Sequence, residues 1–302
     1  MSAGAGAGAP LEVVVVAYGP PDTLAGALDA LEGAFAVTVV DNGSSPATAA
    51  VAEAAGADYV DPGANLGFAA AVNLALAHRH RPGGDVLLLN PDARIDPATL
   101  RGLQAELRAR PRAACAAPVL RGSGSGGPSP NRWPWHTPAG AWAEAVGLAR
   151  RRTRSPRYFL GGAVLVLRGE ALAEVGQLDE RFFLYGEDED WQHRAVRRGW
   201  ELHQAGGLVA EHAAGGTDRD PVRHRLRLHS AVERYVRKWY GGRGWALYRA
   251  GTVLGLAARA ALAGAARRPA TVALLRLYLG SPDGAAVRAG AVPADGARPR
   301  PR

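Results

Sequence analysis

The 302-residue chain has one cysteine, Cys115, one methionine and one lysine, Lys238. A single cysteine excludes an intramolecular disulfide framework and suits a reducing compartment. No cysteine–histidine spacing of a zinc module occurs, and no basic segment is interleaved with aromatics as on a nucleic-acid surface, so nucleic acid is not an expected partner. Met1 to Pro10 lacks the basic start and apolar core of a secretory leader. No apolar run before Trp245 is long enough to span a bilayer. The chain has no internal repeat. What remains is a cytoplasmic chain with room for one large α/β domain and a C-terminal extension.

Positive charge is plentiful. The net charge is +8, and arginines cluster at Arg150, Arg151, Arg152, Arg154 and Arg157, and again from Arg223 to Lys238. Such clusters suit diphosphates or anionic lipid, although a solvated basic face is the plainer reading of either one.

Leu11 to Ala17 is a continuous apolar, β-branched run and reads as a buried parallel strand. Pro20, Pro21 and Asp22 end it and start a helix with Leu24, Leu28 and Leu31 at helical spacing. Further strands are expected at Ala36–Val40, Asp58–Val60 and Val86–Leu89, with helices opening at Pro46, near Gly67 and at Pro97. This alternation predicts a Rossmann-like, mostly parallel sheet with helices on both faces, whose ligands lie beyond the carboxyl ends of the strands. Asp41 and Asp92 fall just past such ends. Either alone reads as a turn or cap residue. Two together point to a site. Arg121 to Pro138 reads as a Gly/Ser/Pro-rich loop, and Tyr158–Leu167, Trp200–His203 and Leu208–His212 as strands.

The segment from Leu178 to Trp191 packs four successive carboxylates, Glu187 to Asp190, among Phe182, Phe183, Leu184, Tyr185 and Trp191. An acidic first turn of a helix is harmless when solvated. Acids wedged among aromatics are instead candidates for a general base or a metal ligand. On a helix Asp190 and Arg194 share a face and can pair, which leaves Asp188 turned elsewhere.

Five segments in one order carry a resemblance: Val13–Leu24, Val39–Ser45, Asn65–Asn73, Leu87–Ile95 and Gly161–Trp200. Together they are similar to the family-two glycosyltransferases of the GT-A fold, particularly the bacterial rhamnosyltransferase-like branch, over about Leu11 to Thr217. The resemblance implies a metal-dependent, inverting hexosyltransferase that takes sugar from a nucleotide-diphosphate donor. A GT-A α/β domain over 1–220 is expected. Ala17, Tyr18, Asp41, Asn65, Gly67, Phe68, Asn73 and Asn90 would hold the nucleotide sugar. Asp92 of Asn-Pro-Asp, with His212, would hold Mg2+ or Mn2+. Asp188, with Glu187 beside it, would be the base. Gly161, Gly162 and Ala163 would line the acceptor side. The branch suggests L-rhamnose from dTDP-rhamnose, and a glycan or polyprenyl-linked acceptor in cell-envelope assembly. A sugar nucleotidyltransferase is disfavoured because Val13–Asp22 has no Gly-rich basic loop. A non-catalytic scaffold of the same fold is disfavoured because both Asp92 and Asp188 are present.

After Thr217 the pattern is helical to about Leu279, over an expected extension at 221–280. Ala246–Ala266 is Ala/Leu-rich and interrupted by Arg249 and Arg259, which disfavours a span. A packed helix or one lying on an anionic membrane surface both fit, the latter placing the chain peripherally on the inner face of the cell membrane. The tail at 281–302 is expected to be disordered.

Overall fold

The computed structural model describes residues 10–122, 127–129, 131–148, 158–213, 220–264 and 266–294. The arginines at 150–157 and the two chain ends, 1–9 and 295–302, lie outside the described residues.

The first half runs β1 (Leu11–Ala17), α1 (Pro21–Asp29), β2 (Ala36–Asp41), α2 (Pro46–Ala54), β3 (Asp58–Val60), α3 (Phe68–Ala77), β4 (Asp85–Leu89), β5 (Ala93–Arg94) and α4 (Pro97–Arg108). Then come β6 (Ala113–Gly122), β7 (Pro128–Ser129), β8 (Arg132–Pro134), α5 (Pro138–Ala145), β9 (Tyr158–Leu160), β10 (Val164–Leu167), α6 (Gly169–Val175), α7 (Glu187–Arg197) and β11 (Glu201–His212). The chain closes with α8 (Pro221–Leu262), α9 (Arg268–Leu279) and α10 (Pro282–Arg288). Prolines open α1, α2, α4, α5 and α8, where a missing N–H costs no helical bond. Ser45, Asp96 and Thr137 cap α2, α4 and α5 by accepting from backbone N–H groups.

The main sheet has the order β3-β2-β1-β4-β10-β6-β11-β5, with β7 on β6. The strands β3, β2, β1 and β4 pair in parallel, as do β6 and β11, while β10 runs antiparallel between β4 and β6. Side chains alternate across a strand. Val13 and Val15 of β1 therefore join one core layer with Leu24, Leu28, Leu100 and Leu103 of α1 and α4. Val14 and Val16 join the other, with Val72, Leu172 and Trp191 of α3, α6 and α7. This is the α/β sheet covered on both faces that the apolar run of β1 implied.

One strand was not anticipated, and two local expectations are corrected. Strand β6 lies in the middle of the sheet, yet its sequence, AACAAPVLRG, carries no β-branched or aromatic signal before Val119. Packing, not propensity, makes it a strand. The expected pair Trp200–His203 and Leu208–His212 is one strand, β11, whose register on β6 shifts between Ala205 and Val209. Gly206, Gly207 and Leu208 form that irregularity, next to Pro118 of β6, which has no N–H to give a ladder. The expected loop at 121–138 contains β8, which pairs with β9 in a two-stranded ribbon.

The C-terminal helices pack on the preceding α/β body. Helix α8 breaks at Gly241 (φ 65°), where α8 turns from its basic half to its Ala/Leu-rich half. Phe182, Tyr235, Val236, Trp245, Leu256 and Tyr278 share one core cluster. Burial of each such side chain stabilises by about 2 kcal/mol. The expectation of disorder from Ser281 onward does not hold for residues 281–294. Ser281 caps α10, Asp283 accepts from Ser230 and Arg234 of α8 at 2.6 Å each, and Arg227 donates to the Ala291 carbonyl at 2.9 Å. Low hydrophobicity misled the reading, because these contacts are polar and reach back some 50 to 60 residues.

Candidate active site

A cavity of about 360 Å3 opens beyond the carboxyl ends of β1 and β4. One side is formed by Tyr18, Asn42, Asn65, Gly67 and Phe68, another by Asn90, Pro91, Asp92 and His212, and a third by Trp133, Phe183, Leu184, Tyr185, His224 and Arg227.

The first side is built on tight turns. Asp41 ends β2, and its carboxylate accepts from the N–H groups of Gly43 (2.8 Å) and Ser45 (2.7 Å) and from the Tyr59 hydroxyl (3.0 Å). Asp41 thus organises the turn, while its neighbour Asn42 lines the cavity. Asn42 in turn donates to the Gly67 carbonyl and accepts from the Leu66 N–H. Gly67 sits at φ 81°, and a Cβ there would meet the Phe183 carbonyl oxygen at 2.4 Å. Only glycine lets Phe68 N–H donate to that carbonyl at 2.7 Å. Asn65 accepts from the Gly67 N–H at 2.9 Å.

Three residues assigned to the nucleotide sugar do not line the cavity, the first being Asp41, which is 1% exposed with its carboxylate taken up by the turn. Ala17 is buried in β1 and is not among the lining residues. Asn73 is a correction of role. Its side chain is buried, accepts from Leu178 N–H and donates to the Leu178 carbonyl and Glu180, which ties α3 to the acidic segment and leaves the cavity to others.

Asp92 and His212, 120 residues apart in sequence, meet at 3.3 Å between Oδ1 and Nε2. The short antiparallel pairing of β5 with β11, His212 opposite Ala93, brings them together. The Ala213 N–H donates to the Asp92 carbonyl at 3.0 Å. Among the described residues no three His, Cys, Asp or Glu side chains gather as a complete metal site. The pair present fits a cation that takes its other ligands from substrate phosphates and water, as Mg2+ and its congeners commonly do.

Asp188 lies just off the cavity lining. Tyr185 (φ 70°) and Gly186 (φ 83°) make a sharp left-handed turn into α7. A non-glycine residue at that φ is held there by its surroundings; the Tyr185 hydroxyl meets His224 Nδ1 at 2.9 Å. Asp188 Oδ2 accepts from Gly162 N–H at 2.9 Å, and Oδ1 from Glu189 N–H at 2.7 Å. Burial pushes its carboxyl up to about 6, against those two donors, and the Glu189 charge adds to the rise. Glu187 is buried, its Oε2 has no hydrogen-bond partner, and burial followed by the Asp188 charge holds it well above the usual carboxylate range. A Cβ on Gly162 would crowd Asp188, and one on Gly161 would strike Asn131. Ala163 accepts from the Asn90 N–H at 2.9 Å, which joins the Asp188 side to the Asp92 side.

The neighbouring acids have other duties. Asp190 pairs with Arg194 at 3.0 Å, as its spacing implied, and with Lys238 at 2.5 Å, and it accepts from the Trp239 indole. Glu189 accepts from the backbone and ring of His136. Burial lowers the affinity of the His136 ring for protons, but the Glu189 carboxylate outweighs it and raises the pKa. His193, given no role, stacks on Trp239 at 3.8 Å. Sequence reasoning did not single out Asn42, Trp133, His224 or Arg227 as site residues. For the last two, the i, i+3 spacing on the basic helix was the available signal.

Comparison with known proteins agrees with this geometry. Residues 12–163 match Glycosyl transferase family 2. An N-acetylglucosaminyl-diphospho-decaprenol L-rhamnosyltransferase of Mycobacterium tuberculosis is 30% identical over 264 residues, which cover 77% of this chain and 85% of the relative. A low-salt glycan biosynthesis hexosyltransferase of Haloferax volcanii is 23% identical, over 75% of this chain and 72% of the relative. Among solved structures, a mannosyltransferase from Pyrobaculum calidifontis in complex with GDP-Man and Mn2+ superposes with a TM-score of 0.58 at 16% identity, over 92% of this chain and 82% of its own. Glucosyl-3-phosphoglycerate synthase from Mycobacterium tuberculosis, with Mn2+ and UDP-glucose bound, gives 0.53 at 17% identity, over 77% and 79%. These structural likenesses show the GT-A fold. The chain belongs to glycosyl transferase family 2 and is a rhamnosyltransferase-like glycosyltransferase of that fold.

Proposed function

We propose that the chain transfers a hexosyl group with inversion from a nucleoside-diphosphate sugar, dTDP-L-rhamnose being the favoured donor, to a hydroxyl of a polyprenyl-diphosphate-linked glycan in cell-envelope assembly. The observation that carries the reading is Asp188: a desolvated carboxylate fixed by Gly162 N–H, next to the cavity where Asp92 and His212 converge. The acceptor preference rests on the named substrate of the mycobacterial relative.

The geometry supports the following roles. The turn shaped by Asp41 presents Asn42, and with Tyr18, Asn65, Gly67 and Phe68 it takes the nucleoside. Asp92 and His212, with Asn90 beside them, would hold Mn2+ or Mg2+, which would supply positive charge against the departing diphosphate. Asp188 takes the proton from the acceptor hydroxyl as oxygen attacks the anomeric carbon. A single in-line displacement inverts that centre. Burial and the Glu189 charge keep Asp188 basic, with Glu187 buried next to it in sequence. The acceptor enters along Gly161–Ala163, where small residues leave room for a sugar.

Among the described residues no helix is long and apolar enough to cross a membrane. Exposed Leu247, Leu254 and Leu262 recur along α8 near Arg243, Arg249 and Arg259. That face suits an anionic bilayer surface, where a lipid-linked acceptor would be met. The test of the whole reading is a donor panel with purified protein, scored by release of free nucleoside diphosphate in the presence of a short-chain N-acetylglucosaminyl-diphospho-prenol. No release from any donor, with Mn2+ or with Mg2+, breaks it.

A further inference from the structure

Resting on the reading above, the geometry points to a second role for the C-terminal extension: we propose that Arg227 of α8 is a donor-diphosphate ligand, held in position by α10 and the turn that follows it (282–292). The family-two model matches residues 12–163, and Arg227 lies 64 residues beyond its end. Nevertheless Arg227 lines the same cavity as Asp92 and His212. Among the described lining residues it is the one that is always cationic; His212 and His224 are charged only when protonated.

The charge balance gives it work. A sugar nucleotide carries about two negative charges on its diphosphate, and the leaving group gains a third as the glycosidic bond breaks. A divalent cation held by one carboxylate cannot offset all of this. A guanidinium at the same cavity supplies the missing positive charge without depending on pH.

The side chain is also prepared for the task. It is only 7% exposed, its Nε donates to the Ala291 carbonyl at 2.9 Å, and its guanidinium lies 5.7 Å from the Phe183 ring centre. Phe183 is the residue whose carbonyl receives Phe68 N–H from the nucleotide side. The turn that supplies Ala291 is itself anchored, through Asp283, to Ser230 and Arg234 of α8. Thus a segment remote from the motifs fixes an arginine against the nucleotide loop, which lowers the entropy lost when it meets a phosphate.

The experiment is isothermal titration of the full chain, with Mn2+, against dTDP and UDP and against the corresponding monophosphates. Arg227→Gln is expected to weaken diphosphate binding roughly ten- to hundredfold and monophosphate binding less than about threefold. Arg227→Lys, which keeps the charge, recovers most of the loss. Asp283→Ala, which loosens the turn but leaves Arg227 in place, gives a smaller loss with the same preference for the diphosphate. Unchanged diphosphate affinity in Arg227→Gln, or an equal loss for mono- and diphosphate, overturns the assignment. Should Arg227→Gln fail to fold by circular dichroism, Asp283→Ala decides: a diphosphate-selective loss supports the role, and none overturns it. If the wild-type chain binds no nucleoside diphosphate at all, glycosyl transfer itself is the reading that fails, and the role of Arg227 with it.

Discussion

The four acids that open α7 are identical in charge and adjacent in sequence, but they divide into two regions with opposite surroundings. Glu187 and Asp188 face buried space with backbone donors and no cation, so burial pushes both carboxyls up. Glu189 and Asp190, also buried, are matched by His136 on one side and by Arg194 and Lys238 on the other. A buried carboxylate without a cation is a reagent, and one with a cation is a structural joint. Asp92 has His212 beside it at 3.3 Å, the pair proposed to hold the metal.

The sharpest way to break this division is to remove the cation expected at Asp92 and His212. Activity should fall to background with a strong chelator and return with Mn2+ or Mg2+. Full turnover of a chelated preparation would make Asp92 and His212 a simple polar pair.

Next in size is the contrast between the two halves of the acidic turn. Asp188→Asn keeps shape and removes the proton acceptor, so kcat should drop about a hundredfold to ten-thousandfold with donor affinity kept. Glu189→Gln should keep kcat within about tenfold and lower the melting temperature instead. Steady-state kinetics and thermal unfolding on both variants check this; near wild-type turnover by Asp188→Asn removes it as the base.

The joint should show in stability. Asp190→Ala leaves Arg194 and Lys238 facing each other around an empty acid site, and breaking such buried pairs costs about 3 kcal/mol. Denaturant unfolding measures it. A change below about 1 kcal/mol would mean that solvent already screens the cluster.

A smaller effect concerns pH. A base with its pKa near 6 must lose its proton to act, so kcat should fall as pH drops through about 6. Because the Glu189 charge helps raise that value, Glu189→Gln should move the acid limb downward. The raised pKa has a second sign: protonated Asp188 favours the fold, so its contribution to stability is present below the ordinary carboxylate pKa and lost as pH rises through about 6. An acid limb unmoved in Glu189→Gln would show that burial alone sets the value.

The weakest expected effect is at the membrane. Vesicles containing anionic lipid should sediment the protein at low salt and release it as salt rises. No sedimentation at low salt would make α8 and α9 packing elements only.

What the sequence by itself determined is whatever is written locally. The apolar run of β1, the prolines that open helices and the strand-end acids Asp41 and Asp92 report periodicities and caps that need only neighbours a few residues away. The pairing of Asp190 with Arg194 was readable for the same reason. Strand β6 was not, because alanines become a strand only between β10 and β11. Nor was the ordering of 281–294, which depends on polar contacts with a helix far back in the chain. The role of Asn73 was misplaced because its partners, Leu178 and Glu180, lie more than a hundred residues away. Only the tertiary structure brought His212 to Asp92 through β5 and β11, divided four equal carboxylates into two kinds, and carried Arg227 into the cavity. Those outcomes depend on which distant backbone and which cation fill the space around a side chain, and no local pattern encodes that.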